Sequence, residues 1–288
     1  MTDTISQRLS SLRQIIDDYD YFILDQWGVL HDGVAPYAHA LPALALLEEQ
    51  GKPFVILSNS GKRSAPNQAR LVRLGFPESI SQHILTSGEL AWRALSETVD
   101  SPLAAIADKS CFIIAQPGEN GLIQQTQWRE APVDQAGMIL VAGLTAEAKF
   151  EDYSEALAVG LERDLPMACA NLDFDALFGT KTAFGPGRLA HWYAEQGGTV
   201  HRFGKPEPSA FSGAQAMLGV TPDMRGIMVG DSLYHDIAGA MRAGIDTLFV
   251  TSGIHGAALT DGDFDRNLKA LSDKIGAMPT YTIHQFGV

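Results

Sequence analysis

Asp25, Asp231, Asp236, Lys205 and the pair Ser58-Asn59 are the residues of this chain whose types could do chemistry together. Asp25 stands in FILDQWGVLHDG, Ser58 and Asn59 in VILSNS, Lys205 in FGKPEP, and Asp231 and Asp236 in VGDSLYHDIAG. Two or three carboxylates can hold Mg²⁺, which takes oxygen ligands in an octahedral shell completed by water. A lysine and a hydroxyl can then cradle the non-bridging oxygens of a phosphoryl group in transit. An aspartate nucleophile splits such a hydrolysis into two steps through an aspartyl phosphate. Taken singly, each residue has a plainer use. Asp25 could cap a turn, Ser58 and Asn59 could finish a strand, and Lys205 before a proline could be a solvated lysine. Taken jointly, in this order, they favour phosphoryl transfer.

The elements that must position them follow from hydrophobic pattern. YFILD, PFVILSNS, GIMVGDS and TLFVTSG read as short buried strands, three of them ending in the polar groups named above. Helical stretches alternate with them, at LPALALLEEQ before Gly51, from Ser64 to near Gly75, and at HDIAGAMRAG. Strand and helix in alternation predict a doubly wound parallel α/β sheet. In open sheets of that kind the carboxyl ends of the strands line the ligand crevice, so these residues should converge there. The middle of the chain repeats the rhythm with the strands CFIIAQ, GMILVAG and PMACAN and the helix KFEDYSEALAVGLE. Residues 4–18 read as a helix with Ile5, Leu9, Leu12, Ile15 and Ile16 on one side, TYTIHQF as a final strand, and GTKTAFGPG as a flexible connection.

Bulk properties exclude some partners. At net charge −13, no excess of lysine and arginine is available to neutralise rows of phosphates, which argues against nucleic acid and anionic membranes. No apolar run approaches the length of a membrane span, and the first residues lack an apolar signal core. Cys111 and Cys169 lie in apolar contexts and read as buried free thiols, which suits a reducing cytoplasm.

The four motifs DQWGVLHDG, LSNS, GKPEPSAF and VGDSLYHDIAGAMRAG together resemble the haloacid dehalogenase superfamily, and within it the subclass IIA phosphatases of nucleotides, pyridoxal phosphate and sugar phosphates. The resemblance covers nearly the whole chain. It implies a Rossmann-like core from residues 1–85 and 196–288, with an α/β cap inserted at 86–195 and a small phosphorylated metabolite held between them. It implies Asp25 as nucleophile and Mg²⁺ ligand, the Trp27 backbone carbonyl and Asp231 as further ligands, and Asp236 as support for the metal. Ser58 would bond the phosphoryl group, and Lys205 would neutralise it and hold Asp25. Asn59, Trp27, Asn171 and Asp173 would meet substrate, with Phe174 and Asp175 near where the cap faces the core. Caps of this type often mediate dimers in the family, which leaves a homodimer open.

One residue departs from the pattern. The phosphatases carry an aspartate two residues after the nucleophile, as general acid and then general base. Here Trp27 stands in its place. A backbone carbonyl survives that change, but indole has no proton to transfer at working pH. General acid–base catalysis is typically worth about 10²–10⁴-fold, so its loss weakens an enzyme but need not abolish it. Alkyl phosphates, with poor leaving groups, would suffer most, and aryl or acyl phosphates least. His31 and Asp32 are the local candidates to replace the acid, against their plainer reading as parts of the loop. Lys62 and Arg63 could add positive charge, or merely flank a helix. The leading reading is a Mg²⁺-dependent phosphatase. The alternatives are a phosphometabolite-binding protein with little turnover and, behind it, a hydrolase of a non-phosphoester bond.

Overall fold

A computed structural model describes residues 6–97, 101–119, 121–178 and 181–288. In chain order its strands begin with β1 (Gln7–Leu9), β2 (Tyr21–Leu24), β3 (Phe54–Ser58) and β4 (Ile84–Thr86). There follow β5 (Ser110–Ile114), β6 (Arg129–Glu130), β7 (Met138–Val141), β8 (Met167–Cys169), β9 (Asp175–Phe178), β10 (Lys181–Phe184) and β11 (Val200–Arg202). The last three are β12 (Gly226–Gly230), β13 (Asp246–Val250) and β14 (Tyr281–Ile283).

The chain divides into two compact units. The first contains the described residues up to Ser58, with Gln68–Leu85 and Lys205–Val288. Its seven-stranded sheet runs β1-β14-β13-β12-β2-β3-β4. The pairs β1–β14, β13–β14, β12–β13, β12–β2 and β2–β3 are parallel. Strands covered on both faces must be apolar throughout, and every residue of β2, β3 and β12 is buried. Phe22, Leu24, Ile56, Val229 and Leu248 join the main core cluster. From β2 the chain steps outward to β3 and β4, whereas from β12 it steps the other way to β13 and β14. The junction of β12 and β2 is therefore the topological switch point, where ligand crevices of such sheets form. Val229 pairs with Leu24 there, and Leu24 with Ile56, so the residues that follow these strands emerge along one edge.

The second unit comprises Asn59–Asn67 and the described residues of Thr86–Gly204. Its own five-stranded sheet runs β11-β8-β7-β5-β6, parallel at each pairing. Tyr193, Leu189, Met167 and Ile139 pack on one side of it. This unit extends to Gly204 where 195 was expected, because β11 pairs with β8. It also takes in residues 59–67, which the expected division left with the first unit.

Two expectations are corrected. Residues 6–18 are not helical: β1 is followed by two 3₁₀ turns, Leu12–Gln14 and Ile16–Asp18. Leu9, Leu12, Ile15 and Ile16 are buried as their spacing suggested, but β1 gains ladder partners on β14. Ser11 also restarts the chain with a capping box closed by Gln14. Residues 4 and 5 of the expected helix lie outside the described residues. The GTKTAFGPG stretch contributes β10, paired antiparallel with β9, rather than a plain connection, and its residues 179 and 180 lie outside the described residues. Among the described residues no helix is long and apolar enough to cross a membrane. Cys111 and Cys169 are buried and unpaired, and burial pushes both thiols up to about 12.

Candidate active site

Asp25 leaves the end of β2 with its backbone still in register, its N–H donating to the Val229 carbonyl at 2.8 Å. Asp231 follows β12 directly. Its Oδ2 accepts from the Ile254 N–H at 2.9 Å. Asp236 lies in the turn Leu233–Ile237, which is π-helical, a wide turn often found at functional sites. Its Oδ2 accepts from the Ser232 N–H at 2.9 Å. Backbone donors thus fix one oxygen of Asp231 and one of Asp236. Oxygens of Asp25, Asp231 and Asp236 lie within 4.8 Å of one another, and all three residues are buried. Gly28 closes the corner between them at φ +77°, and a Cβ there would run into the Asp231 carboxylate.

Lys205 reaches into this cluster. Its Nζ lies 2.5 Å from Asp25 Oδ1 and 2.7 Å from Asp236 Oδ1, with the residue 2% exposed. Burial alone would depress the lysine, but the charges of Asp236 and Asp25 outweigh it and hold it protonated. Burial, and then the charge of Asp236, push the Asp25 carboxyl well above the usual carboxylate range despite Lys205. Three carboxylates against one ammonium leave a deficit of positive charge in a buried place. Their oxygens form a hard donor set of the kind that Mg²⁺ and Ca²⁺ take. The residues present therefore fit a divalent cation. Ser58 ends β3, beside β2, and is 1% exposed.

Trp27 follows two residues after Asp25 and is held from several sides. The Arg70 guanidinium lies over its ring, 4.4 Å from the centroid. The His31 ring meets it edge-on at 4.9 Å. Gly33, at φ +93°, lies so close that a Cβ would strike the six-membered ring. Arg70 also donates to the Gly33 carbonyl at 3.4 Å.

His31 is fully buried. Its Nδ1 accepts from the Gly33 N–H at 2.9 Å, so in the neutral ring the proton sits on Nε2. Nε2 faces the Gln26 side-chain nitrogen at 3.1 Å, while Gln26 Oε1 is buried without a partner. Turning the Gln26 amide over satisfies both groups. Burial, then the charge of Arg70, pushes His31 down to about 4. Asp32 is exposed, and its Oδ1 accepts from the Val34 and Ala35 N–H groups, each at 2.8 Å. The Ala35 and then the Val34 bond hold its carboxyl below the usual range.

Asn59, Asn171 and Asp173 come together within the second unit. Asn59 Nδ2 donates to Asp173 Oδ1 at 2.8 Å, and Ser87 Oγ donates to Asn59 Oδ1 at 3.1 Å. Asn171 Oδ1 accepts from the Asp173 N–H at 3.0 Å. Lys62 pairs with Glu119 at 2.7 Å, and Arg63 grips Glu89 with two nitrogens while stacking on Trp92 at 3.5 Å. Asp175 pairs with Arg188 at 2.8 Å, and Phe174 meets the His191 ring. Sequence reasoning missed Arg70, Gly33 and Ser87. Arg70 carries no local signal, because its place over Trp27 depends on how the helix Ser64–Arg73 is set.

The chain belongs to the haloacid dehalogenase superfamily, in its subclass IIA. A model of haloacid dehalogenase-like hydrolases matches residues 22–129, and a HAD-hydrolase-like model matches residues 202–275. Among curated relatives, chronophin of Mus musculus is 26% identical over 253 residues, covering 86% of each chain. The D-glycerol 3-phosphate phosphatase of Mycobacterium tuberculosis is 26% identical over 251 residues, covering 85% of this chain and 67% of that one. The crystal structure of a haloacid dehalogenase-like hydrolase from Brucella suis superposes with a TM-score of 0.81 at 26% identity, over 96% of this chain and 99% of that one.

Proposed function

We propose that the protein is a divalent-metal-dependent phosphatase of a small phosphorylated metabolite, with Asp25 as nucleophile and Mg²⁺ as the metal. The observation that carries this reading is the buried ammonium of Lys205 between Asp25 and Asp236, within a cluster that Asp231 completes. Asp25, Asp231 and the Trp27 carbonyl would hold the ion, with Asp236 supporting them. Bound there, it would supply positive charge to the phosphoryl oxygens and keep Asp25 ionised. Lys205 orients the Asp25 carboxylate and offsets phosphoryl charge. Ser58 donates to a non-bridging oxygen. Asn59, Asn171 and Asp173 hold one another, and we assign them to shaping the substrate side rather than to the reacting atoms. The names of the relatives, one a D-glycerol 3-phosphate phosphatase, support a small phosphorylated compound as substrate.

The test is phosphate release with Mg²⁺ from a panel of aryl, sugar, nucleotide and pyridoxal phosphates. Asp25→Asn would be run beside the wild type, and beryllium fluoride would serve as a mimic of the aspartyl phosphate. Turnover by the wild type, and a loss of about 10³-fold or more in Asp25→Asn, are expected for removal of a covalent nucleophile. No release from any ester together with no beryllium fluoride binding would overturn the reading.

A further inference from the structure

We infer that Trp27 and Arg70 form a leaving-group wall, and that the substrate is a phosphate whose leaving group departs as a stable anion: an acyl phosphate, an aryl phosphate or a phosphoanhydride. The inference rests on the phosphatase reading above and deepens it.

Three observations carry it. First, the two local candidates for the acid in the loop that follows Asp25 are both engaged in the loop itself. His31 is fully buried, its Nδ1 spent on the Gly33 N–H and its Nε2 facing the Gln26 amide. Asp32 points its Oδ1 at two backbone N–H groups of its own turn. Both are parts of the loop's scaffold.

Second, Trp27 is fixed. Arg70 packs on its face, His31 at its edge and Gly33 against its six-membered ring. Trp27 stands two residues after the nucleophile in the chain, and its held ring is the surface we assign to the leaving group.

Third, that surface suits an anion better than an incipient alcohol. Among the described residues the Trp27 indole N–H has no hydrogen-bond partner, and the residue is only half-buried. The Arg70 charge lies against the same ring. An N–H that donates but cannot transfer, backed by a cation, can steady a leaving oxygen that keeps its negative charge.

The steps balance without an acid. An Asp25 oxygen attacks phosphorus, and the bond from phosphorus to the leaving oxygen breaks. Its electron pair stays on that oxygen, which departs as a carboxylate, phenolate or phosphate with no proton added. Water then attacks the phosphorus of the aspartyl phosphate. The bond to Asp25 breaks and returns its pair to the carboxylate, while both protons of the water end on the released phosphate and exchange with solvent. An alkyl phosphate would have to expel a bare alkoxide, so it is a poor substrate.

The experiment compares kcat/KM for acetyl phosphate, para-nitrophenyl phosphate, phenyl phosphate and glycerol 3-phosphate with Mg²⁺, using wild type, Trp27→Asp and Trp27→Phe. For the wild type we expect rates that fall steeply as the leaving group becomes more basic, with about 10²-fold or more between para-nitrophenyl and glycerol phosphate. Trp27→Asp should narrow that gap by raising the rate on glycerol phosphate. Trp27→Phe keeps a ring but lacks the N–H, and should lose about 3- to 10-fold on the aryl esters. Cleavage of glycerol 3-phosphate by the wild type within tenfold of para-nitrophenyl phosphate would overturn the inference, even if neither variant folds. It would do so while leaving the phosphatase reading intact. Silence on every ester, without beryllium fluoride binding, would instead count against that reading and the inference with it.

Discussion

Trp27, His31 and Arg70 pack on one another after the strand that carries Asp25. His31 is kept neutral by burial and by Arg70, and its folded value of about 4 lies below the ordinary 6.5. As pH falls, the unfolded chain therefore takes up a proton before the folded one. This contribution to stability is complete above about 6.5 and is lost as pH drops from there towards about 4, at most roughly 3 kcal/mol. Thermal unfolding across that window should show the wild type losing stability more steeply than His31→Asn, whose amide oxygen can still accept from Gly33. Parallel curves would refute the assignment. At this scale the sequence was informative wherever a residue follows directly on a buried strand. Asp25, Ser58 and Asp231 could be placed because a parallel sheet sends such residues to one edge. Arg70 could not, since stacking a guanidinium on an indole depends on the pose of a helix and on no local motif.

The elements were legible where periodicity and burial agree. β2, β3 and β12 are buried at every position, and only a sheet covered on both faces asks for that. The first residues misled because Leu9, Leu12, Ile15 and Ile16 satisfy helical spacing while β1 finds its partner on β14, at the far end of the chain. The bond of Asn59 to Asp173 was hidden for the same reason, since 114 positions separate the two. It now makes a prediction about the second unit. Asn59→Asp alone sets two carboxylates face to face and should cost about 1–3 kcal/mol. Adding Asp173→Asn reverses the polarity of the bond and should recover most of that loss, because Ser87 can still donate to the new carboxylate. Thermal unfolding and hydrogen exchange of residues 59–67, read as a double-mutant cycle, measure the coupling. A double variant no better than Asn59→Asp would show that the bond contributes nothing.

For the whole molecule, the surplus of carboxylates over ammonium in the site predicts that a metal stabilises the fold. An ion present at a hundred times its dissociation constant adds about 2.7 kcal/mol, and each kcal/mol moves Tm by about 2–4 °C in chains approaching this size. Mg²⁺ should therefore raise Tm by several degrees over a chelated sample, and Asp231→Asn should erase most of the difference. An equal Tm with and without Mg²⁺ would count against the metal assignment. The division of the chain into units was only partly legible, because hydrophobic pattern reveals strands but not which of two sheets β11 joins. That division passes through the chain at three places, after Ser58, after Leu85 and after Gly204, besides the short return at Asn67. Asn59, Ser87 and Gly204 stand at or next to these seams. Asn59 bonds to Ser87, and a Cβ on Gly204 would strike both of their side chains. Recombination between relatives that exchanged one seam alone would inherit mismatched halves of this knot. The second unit is thus transferable between lineages only as a package, with Asn59, Ser87, Asp173 and Gly204 travelling together.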